Sequence, residues 1–77
     1  MTVKSVNKFE ENIHLDAELV LAGINGGIEG IMNYAFTRQD IFPNTDNVMA
    51  RCKWLKKQSK EYISKVSLRV TELEQER

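Results

Sequence analysis

The side chains best suited to catalysis are few in this sequence and poorly spaced. His14, Asp16 and Glu18 form an H-x-D-x-E run, but residues two apart on a helix do not share a face. His14 is also the only histidine, so one imidazole would have to serve every proton transfer. We interpret His14 as a surface residue near a helix start, and we predict no catalytic residue and no enzymatic activity.

Metal and cofactor chemistry has equally little support. Cys52 is the only cysteine, which excludes a disulfide within one chain, and structural zinc needs four ligands drawn mostly from cysteine and histidine. Gly23, Gly26, Gly27 and Gly30 form a G-x-x-G-G-x-x-G pattern that lacks the G-K-[ST] of a phosphate-binding loop. We therefore predict no metal, no cofactor and no small-molecule substrate, and we interpret Cys52 as a small buried apolar residue.

Charge is segregated along the chain although the net charge is zero. Residues 1–50 carry three basic and seven acidic side chains, whereas residues 51–69 carry seven basic and one acidic. The basic residues cluster around the only tryptophan, in a candidate partner-binding set made up of Arg51, Lys53, Trp54, Lys56, Lys57 and Lys60. Tryptophan is among the residues most often found at interaction hot spots, so this segment is the strongest functional candidate.

Three interpretations of this basic segment compete. Its lysines could pair with the acidic first half of the chain, as a solvated helix face worth little energetically. They could instead bind the acidic surface of a protein partner, with Trp54 as an interface hot spot. The third interpretation is a nucleic acid, which the basic stripe suits, although no nucleic-acid-binding motif is present and the whole chain is not basic.

The element that carries this segment is a long amphipathic helix predicted over residues 46–74. Its seam has heptad spacing and consists of Val48, Cys52, Leu55, Ser59, Tyr62, Val66, Arg69 and Leu73, widened by Met49, Ile63 and Val70. Arg69 on that seam would set the register of a coiled coil. A helix of about 28 residues is ~42 Å long, so we expect the N-terminal segment or a second chain to cover part of the stripe. We predict a homodimer or a hetero-complex completed through this stripe. The acidic residues 74–77 should fray at the negative end of the helix dipole.

A second helix is predicted near residues 16–36, because apolar residues keep helical spacing through the glycine cluster. Gly23 and Gly27 lie four residues apart, as do Gly26 and Gly30, which would give a smooth groove where another helix backbone could approach. The alternative is a helix-loop-helix broken at Asn25-Gly26. In the grooved-helix interpretation, the packing or dimer interface consists of Gly23, Gly26, Gly27, Gly30, Leu55, Tyr62, Ile63, Val66, Val70 and Leu73.

The remaining segments are a short helix and a connector. Asn7 with Glu10 has capping-box spacing, and Asp16 offers a second N-cap, so the N-terminal segment is either one continuous helix or two. The connector contains Pro43, which cannot continue a helix, and Thr45 or Asp46 caps the next helix.

These observations predict a single all-α domain over residues 1–77, in which the glycine-grooved helix and the long helix form a hairpin beside a short N-terminal helix. Residues 1–12 lack the apolar core of a secretory signal, and no run reaches the ~20 apolar residues that span a bilayer. We therefore expect a cytoplasmic protein without membrane insertion.

The function we predict is a non-enzymatic protein–protein interaction module, a regulator or inhibitor of a larger protein. We also expect an origin in a phage or mobile element, on the small size of the chain and its lack of an active-site motif. Two alternatives remain: a nucleic-acid-binding accessory protein that uses the basic helix face, and a small structural subunit or assembly factor of a larger complex.

Overall fold

A computed structural model describes residues 8–76 of the chain, and those residues form three helices without any strand. Helix α1 spans Lys8–Thr37, α2 spans Thr45–Lys56 and α3 spans Lys60–Gln75. The prediction of an all-α fold is confirmed. Asn7, the proposed first cap, lies outside the described residues. None of the described helices combines the length and the apolar character that crossing a bilayer requires.

Helix α1 is sharply bent at Gly27, where φ is 61° and ψ is −147°. This backbone conformation is nearly confined to glycine, and it divides α1 into a first arm (residues 8–26) and a second arm (residues 28–37). The two arms fold back on one another at this bend. Their contact is shown by the Tyr34 hydroxyl, which donates a 2.7 Å hydrogen bond to Glu18 Oε1, sixteen residues earlier. In a straight helix those residues would be ~24 Å apart along the axis.

The bend changes the role of the glycines. A Cβ at Gly30 would overlap the carbonyl oxygen of Ala22, and one at Gly23 would lie 3.2 Å from Ile31 Cδ1, whereas Gly26 and Gly27 face open space. Gly23 and Gly30 therefore allow close contact between the two arms of one chain. The continuous groove along a straight helix is not observed, and the break lies near the alternative position at Asn25-Gly26.

The prediction of one long helix over residues 46–74 is wrong, because the helix stops after Lys56 and restarts at Lys60. Ser59 has an extended backbone (φ −62°, ψ 158°), and its hydroxyl accepts a 3.2 Å hydrogen bond from the Tyr62 amide. Gln58 Nε2 donates to the Trp54 carbonyl at 3.0 Å. The Ser59 hydroxyl satisfies a backbone amide that the start of α3 leaves without a helical partner, while the Trp54 carbonyl also accepts from the Lys57 amide. Ser59 is therefore an N-cap and not a member of an apolar seam.

Folding into shorter helices covers the apolar stripe within the chain. One core contains Ile13 and Ala17 of the first arm packed on α3, and the other contains residues of both arms, the connector and α2. The first core consists of Ile13, Ala17, Tyr62, Val66 and Val70, and the second of Leu15, Leu19, Ala35, Phe42 and Val48. Much of the stripe on which the homodimer was predicted is therefore covered by the first half of the same chain, although Met49 stays exposed, and dimerisation remains a prediction.

Three smaller expectations also need correction. The N-cap of α2 is Asn44, whose side chain accepts from the Asn47 amide at 3.1 Å, one residue before the predicted caps. Arg69 is not in a coiled-coil seam but on the surface, 3.6 Å from Glu72. The helix runs without interruption through Asp16, which caps nothing because it lies inside α1. In each case the local sequence pattern is compatible with more than one structure, and the packing of the whole chain selects between them.

Candidate protein interaction surface

A buried carboxylate ties the three helices together. Asp16 is 0 % exposed, and its Oδ1 and Oδ2 accept hydrogen bonds from Arg51 Nε and Nη2 at 2.7 and 2.8 Å. The Tyr62 hydroxyl donates to Oδ2 at 2.5 Å. A buried charge is tolerated only when it is paired and hydrogen-bonded, and Asp16 meets both conditions with residues 35 and 46 positions away.

Trp54 belongs to the same cluster. The Arg51 guanidinium lies 4.0 Å from the centroid of the Trp54 ring, a cation–π geometry, and the ring meets Tyr62 edge-on at 5.6 Å. Trp54 nevertheless remains 39 % exposed. Two of the six predicted partner-binding residues, Arg51 and Trp54, therefore hold the fold together, which makes them poor probes of binding.

The ionisable groups of this cluster are shifted by their surroundings. Burial and the hydrogen bond to Asp16 raise the pKa of Tyr62 well above its ordinary value. Burial opposes the charge of Arg51, but the hydrogen bonds and attraction of Asp16 outweigh it and raise the Arg51 pKa. Burial and the bond to Glu18 likewise raise the pKa of Tyr34. Both tyrosines are therefore held in their neutral form.

This arrangement predicts a loss of stability at alkaline pH. An unfolded tyrosine loses its proton near pH ~10, whereas folded Tyr62 keeps its proton to higher pH, so deprotonation favours the unfolded state as pH rises above ~10. The expected loss is up to about 1.4 kcal/mol per pH unit for Tyr62. Urea denaturation between pH 9 and 11 measures it, and Tyr62→Phe should show a shallower decline. An equal decline of stability with pH in the wild type and in Tyr62→Phe would contradict the raised pKa of Tyr62.

The lysines of the basic segment have no acidic partner in the described part of the chain. Lys53, Lys56, Lys57 and Lys60, here called the lysine face, are all exposed, and none of them is in a salt bridge there. Three of the seven acidic residues of the first half pair elsewhere: Asp16 with Arg51, Glu18 with His14 and Arg38, and Asp40 with Arg38. The interpretation that these lysines pair with the acidic first half is not supported by this arrangement.

Trp54 and Lys56 lie on nearly opposite sides of α2, whereas Lys57 follows Trp54 by three residues and lies beside it. At about 3.6 residues per turn, side chains two residues apart point to nearly opposite sides of a helix, so Lys56 points away from Trp54. Met49, which is also exposed, shares the side of Lys53 and Lys56. The predicted patch residues near the end of α2 therefore spread around the helix, with Lys57 between Trp54 and the side that carries Lys53 and Lys56.

An apolar groove borders the lysine face. It measures about 290 Å³ and lies between the two arms of α1, the end of α2 and the start of α3; its lining residues are Leu19, Val20, Gly23, Ile31, Cys52, Leu55, Lys56 and Ile63. Lys56 is the only charged residue in that lining. The sequence had identified Gly23, Leu55 and Ile63 as packing residues, but their meeting in a groove depends on the bend at Gly27.

The other predicted interface residues pack within the chain. Tyr62, Val66 and Val70 are buried in the first core, and Leu73 is partly buried against it, as are Leu55 and Ile63. These helix-packing contacts lie within one chain, and binding of a second copy remains a prediction.

His14 lies beside one carboxylate of its own helix. His14 Nε2 lies 3.5 Å from Glu18, one turn away, while Asp16 points into the protein. A polar cleft of about 550 Å³ beside them includes Arg38 and Arg69, but Arg38 is paired with Asp40 at 3.3 Å. The hydrogen bond from Arg38 lowers the pKa of Asp40. Among the described residues, no three candidate metal ligands converge.

Comparisons of the chain with protein-family models, curated proteins and solved structures gave no match. Function must therefore be argued from the side chains. Those that stand out are the lysine face and the apolar groove beside it.

Proposed function

We propose that the protein is a small, non-enzymatic protein–protein interaction module that regulates or inhibits a larger protein through an acidic surface of that partner. The observation that carries the proposal is the lysine face: its four exposed lysines have no carboxylate partner in the described part of the chain. Cationic surfaces of this kind speed the encounter with acidic partners and select against basic ones.

The lysine face does little for the stability of the fold itself. Lys53 precedes Lys56 by three residues and Lys57 by four, spacings at which like charges destabilise a helix by ~0.2–0.5 kcal/mol per pair. The dipole of α2 favours lysines in its last turn, but Lys60 stands at the start of α3, where the dipole disfavours a cation. A contact with an external acidic group accounts for such a cluster better than intramolecular packing does.

A nucleic acid fits the same surface less well. Proteins that bind single strands combine lysines with aromatic side chains on which bases stack. Arg51 covers one face of the Trp54 ring, and the ring lies on the other side of α2 from Lys56. Only Lys57 of the lysine face shares a side of the helix with Trp54, and one face of the ring is already covered by Arg51, which favours a protein partner.

The test is affinity capture from the native cytosol with and without nuclease, followed by mass spectrometry. We expect a defined protein to be captured independently of nuclease, and the quadruple variant Lys53→Gln, Lys56→Gln, Lys57→Gln, Lys60→Gln to lose it while keeping the wild-type circular dichroism spectrum. Lys65→Gln, on the exposed side of α3, is the control.

Two results would overturn the proposal. Capture that disappears with nuclease would support the nucleic-acid accessory, whose affinity should also fall steeply with salt. Recovery of the chain at fixed stoichiometry in a large assembly, unaffected by the quadruple change, would support a structural subunit or assembly factor.

A further inference from the structure

We infer that the apolar groove, and not the flank that carries Trp54, is the docking site, and that its occupant is an acidic amphipathic helix of the partner protein. The inference rests on the proposed function, because it assumes that the partner is a protein. The partner helix supplies apolar anchors for the groove and carboxylates for the lysines at its edge.

The size and chemistry of the groove suit the side chains of a peptide. Its volume of about 290 Å³ is at the lower limit of small-molecule pockets, which run from ~300 to ~1,000 Å³. Apolar surface continues beyond it, since Ile24 follows Val20 by one helical turn and Ile28 precedes Ile31 by one turn. Ile24 and Ile28 are 63 % and 75 % exposed. Exposed apolar surface that continues from a groove is typical of interaction sites.

The charge at the edge of the groove selects an acidic occupant. Lys56 lines the groove, and Lys60 precedes the lining residue Ile63 by one turn of α3. The acidic residues nearest the groove lining in the sequence are directed elsewhere. Glu18, next to Leu19, pairs with His14 and Arg38. Glu29 and Glu61 lie two positions before Ile31 and Ile63, on the opposite sides of their helices. Glu61 is also 3.6 Å from Lys65. A carboxylate beside an apolar anchor would therefore meet lysines and no competing acid.

The described residues also limit how the partner can bind. They contain no strand, so the partner cannot add a strand to a sheet edge. A helix laid across a groove with apolar anchors at i, i+3, i+4 and i+7 is the recognition mode left for an amphipathic segment. A second copy could offer Glu72, Glu74 and Glu76, but Glu72 already lies 3.6 Å from Arg69 of its own helix, so we favour a separate partner protein as the occupant.

The probe is a display library of short random peptides, selected against the full chain. We expect the selected peptides to carry apolar residues with helical spacing together with aspartate or glutamate. Bound peptide should slow the reaction of Cys52, which lines the groove, with a thiol reagent. Lys56→Glu should weaken peptide binding at least about tenfold, as expected when like charges meet across an interface. Lys65→Glu, with the same change in net charge, should weaken it much less.

Several outcomes would overturn the inference. Selected peptides without acidic residues would remove its charge argument, and binding without protection of Cys52 would remove the groove. If Lys56→Glu and Lys65→Glu weakened peptide binding equally, the loss would come from the change in net charge and not from a contact at the groove. Protection of Cys52 by a short oligonucleotide, or by raising the concentration of the chain alone, would assign the groove to a nucleic acid or a second copy. If cytosolic capture through the lysine face persists in any of these cases, the proposed function stands without this site.

Discussion

Replacing Arg51 with alanine should unfold a large fraction of the protein. The change leaves the Asp16 carboxylate, which is 0 % exposed, with only the Tyr62 hydroxyl as a partner. Removing one member of a buried ion pair costs ~3–5 kcal/mol. Total stabilities of small domains are ~5–15 kcal/mol, and a chain of this size belongs near the lower end. Urea denaturation followed by circular dichroism measures the loss.

A neighbouring substitution and a paired one control this experiment. Lys53→Ala, two residues away on the exposed side of α2, should change stability by no more than ~0.5 kcal/mol. The double change Asp16→Leu, Arg51→Met should recover much of the loss, since apolar replacement of a buried ion pair is often neutral. A loss below ~1 kcal/mol for Arg51→Ala alone would show that the Asp16 pair is not central to stability.

Gly30→Ala should destabilise the protein by ~1–3 kcal/mol, the usual cost of overpacking. The added Cβ would overlap the carbonyl oxygen of Ala22, so the two arms of α1 would have to separate. Helix propensity acts in the opposite direction, because alanine is favoured over glycine by up to ~1 kcal/mol in a helix. The sign of the change in stability therefore shows whether the two arms are closely packed, and thermal unfolding measures this change.

Gly26→Ala is the matched control, because a Cβ at Gly26 meets no atom within 4 Å. Here propensity acts alone, and we expect stability to rise by ~0.5–1 kcal/mol. Opposite signs at two glycines four residues apart are the expected signature of the bend. If both substitutions stabilise the protein, the close approach of Gly30 to Ala22 is wrong.

The sequence predicted which segments are helical more accurately than it predicted where each helix ends. Apolar spacing stays in phase across Gly27, and each arm alone satisfies that pattern, so a straight helix and a folded one give the same local signal. Ser59 is comparable: it fits the heptad spacing of a long seam and equally well caps a new helix. Periodicity records which face of a helix is apolar, and it carries no information about where the chain reverses.

The candidate site was predicted only in part. The lysine face could be identified because charge is a property of residue type, whereas the groove requires the second arm of α1 to place Ile31 opposite Cys52. The contacts of Asp16 with Arg51 and Tyr62 join distant parts of the chain, and no spacing rule reveals such pairs. The one available signal was the apolar run around Asp16, since Leu15, Ala17 and Leu19 indicate a buried stretch in which a carboxylate needs a partner.

The separation of Trp54 and Cys52 on α2 gives the molecule two independent reporters. Each is the only residue of its type in the chain. The indole, held between Arg51 and Tyr62, changes its fluorescence when the helices come apart, while the thiol lines the groove. Emission of the unmodified protein thus follows folding, and thiol reactivity follows occupancy of the groove, so a ligand and a denaturant can be distinguished in one sample without attaching a dye.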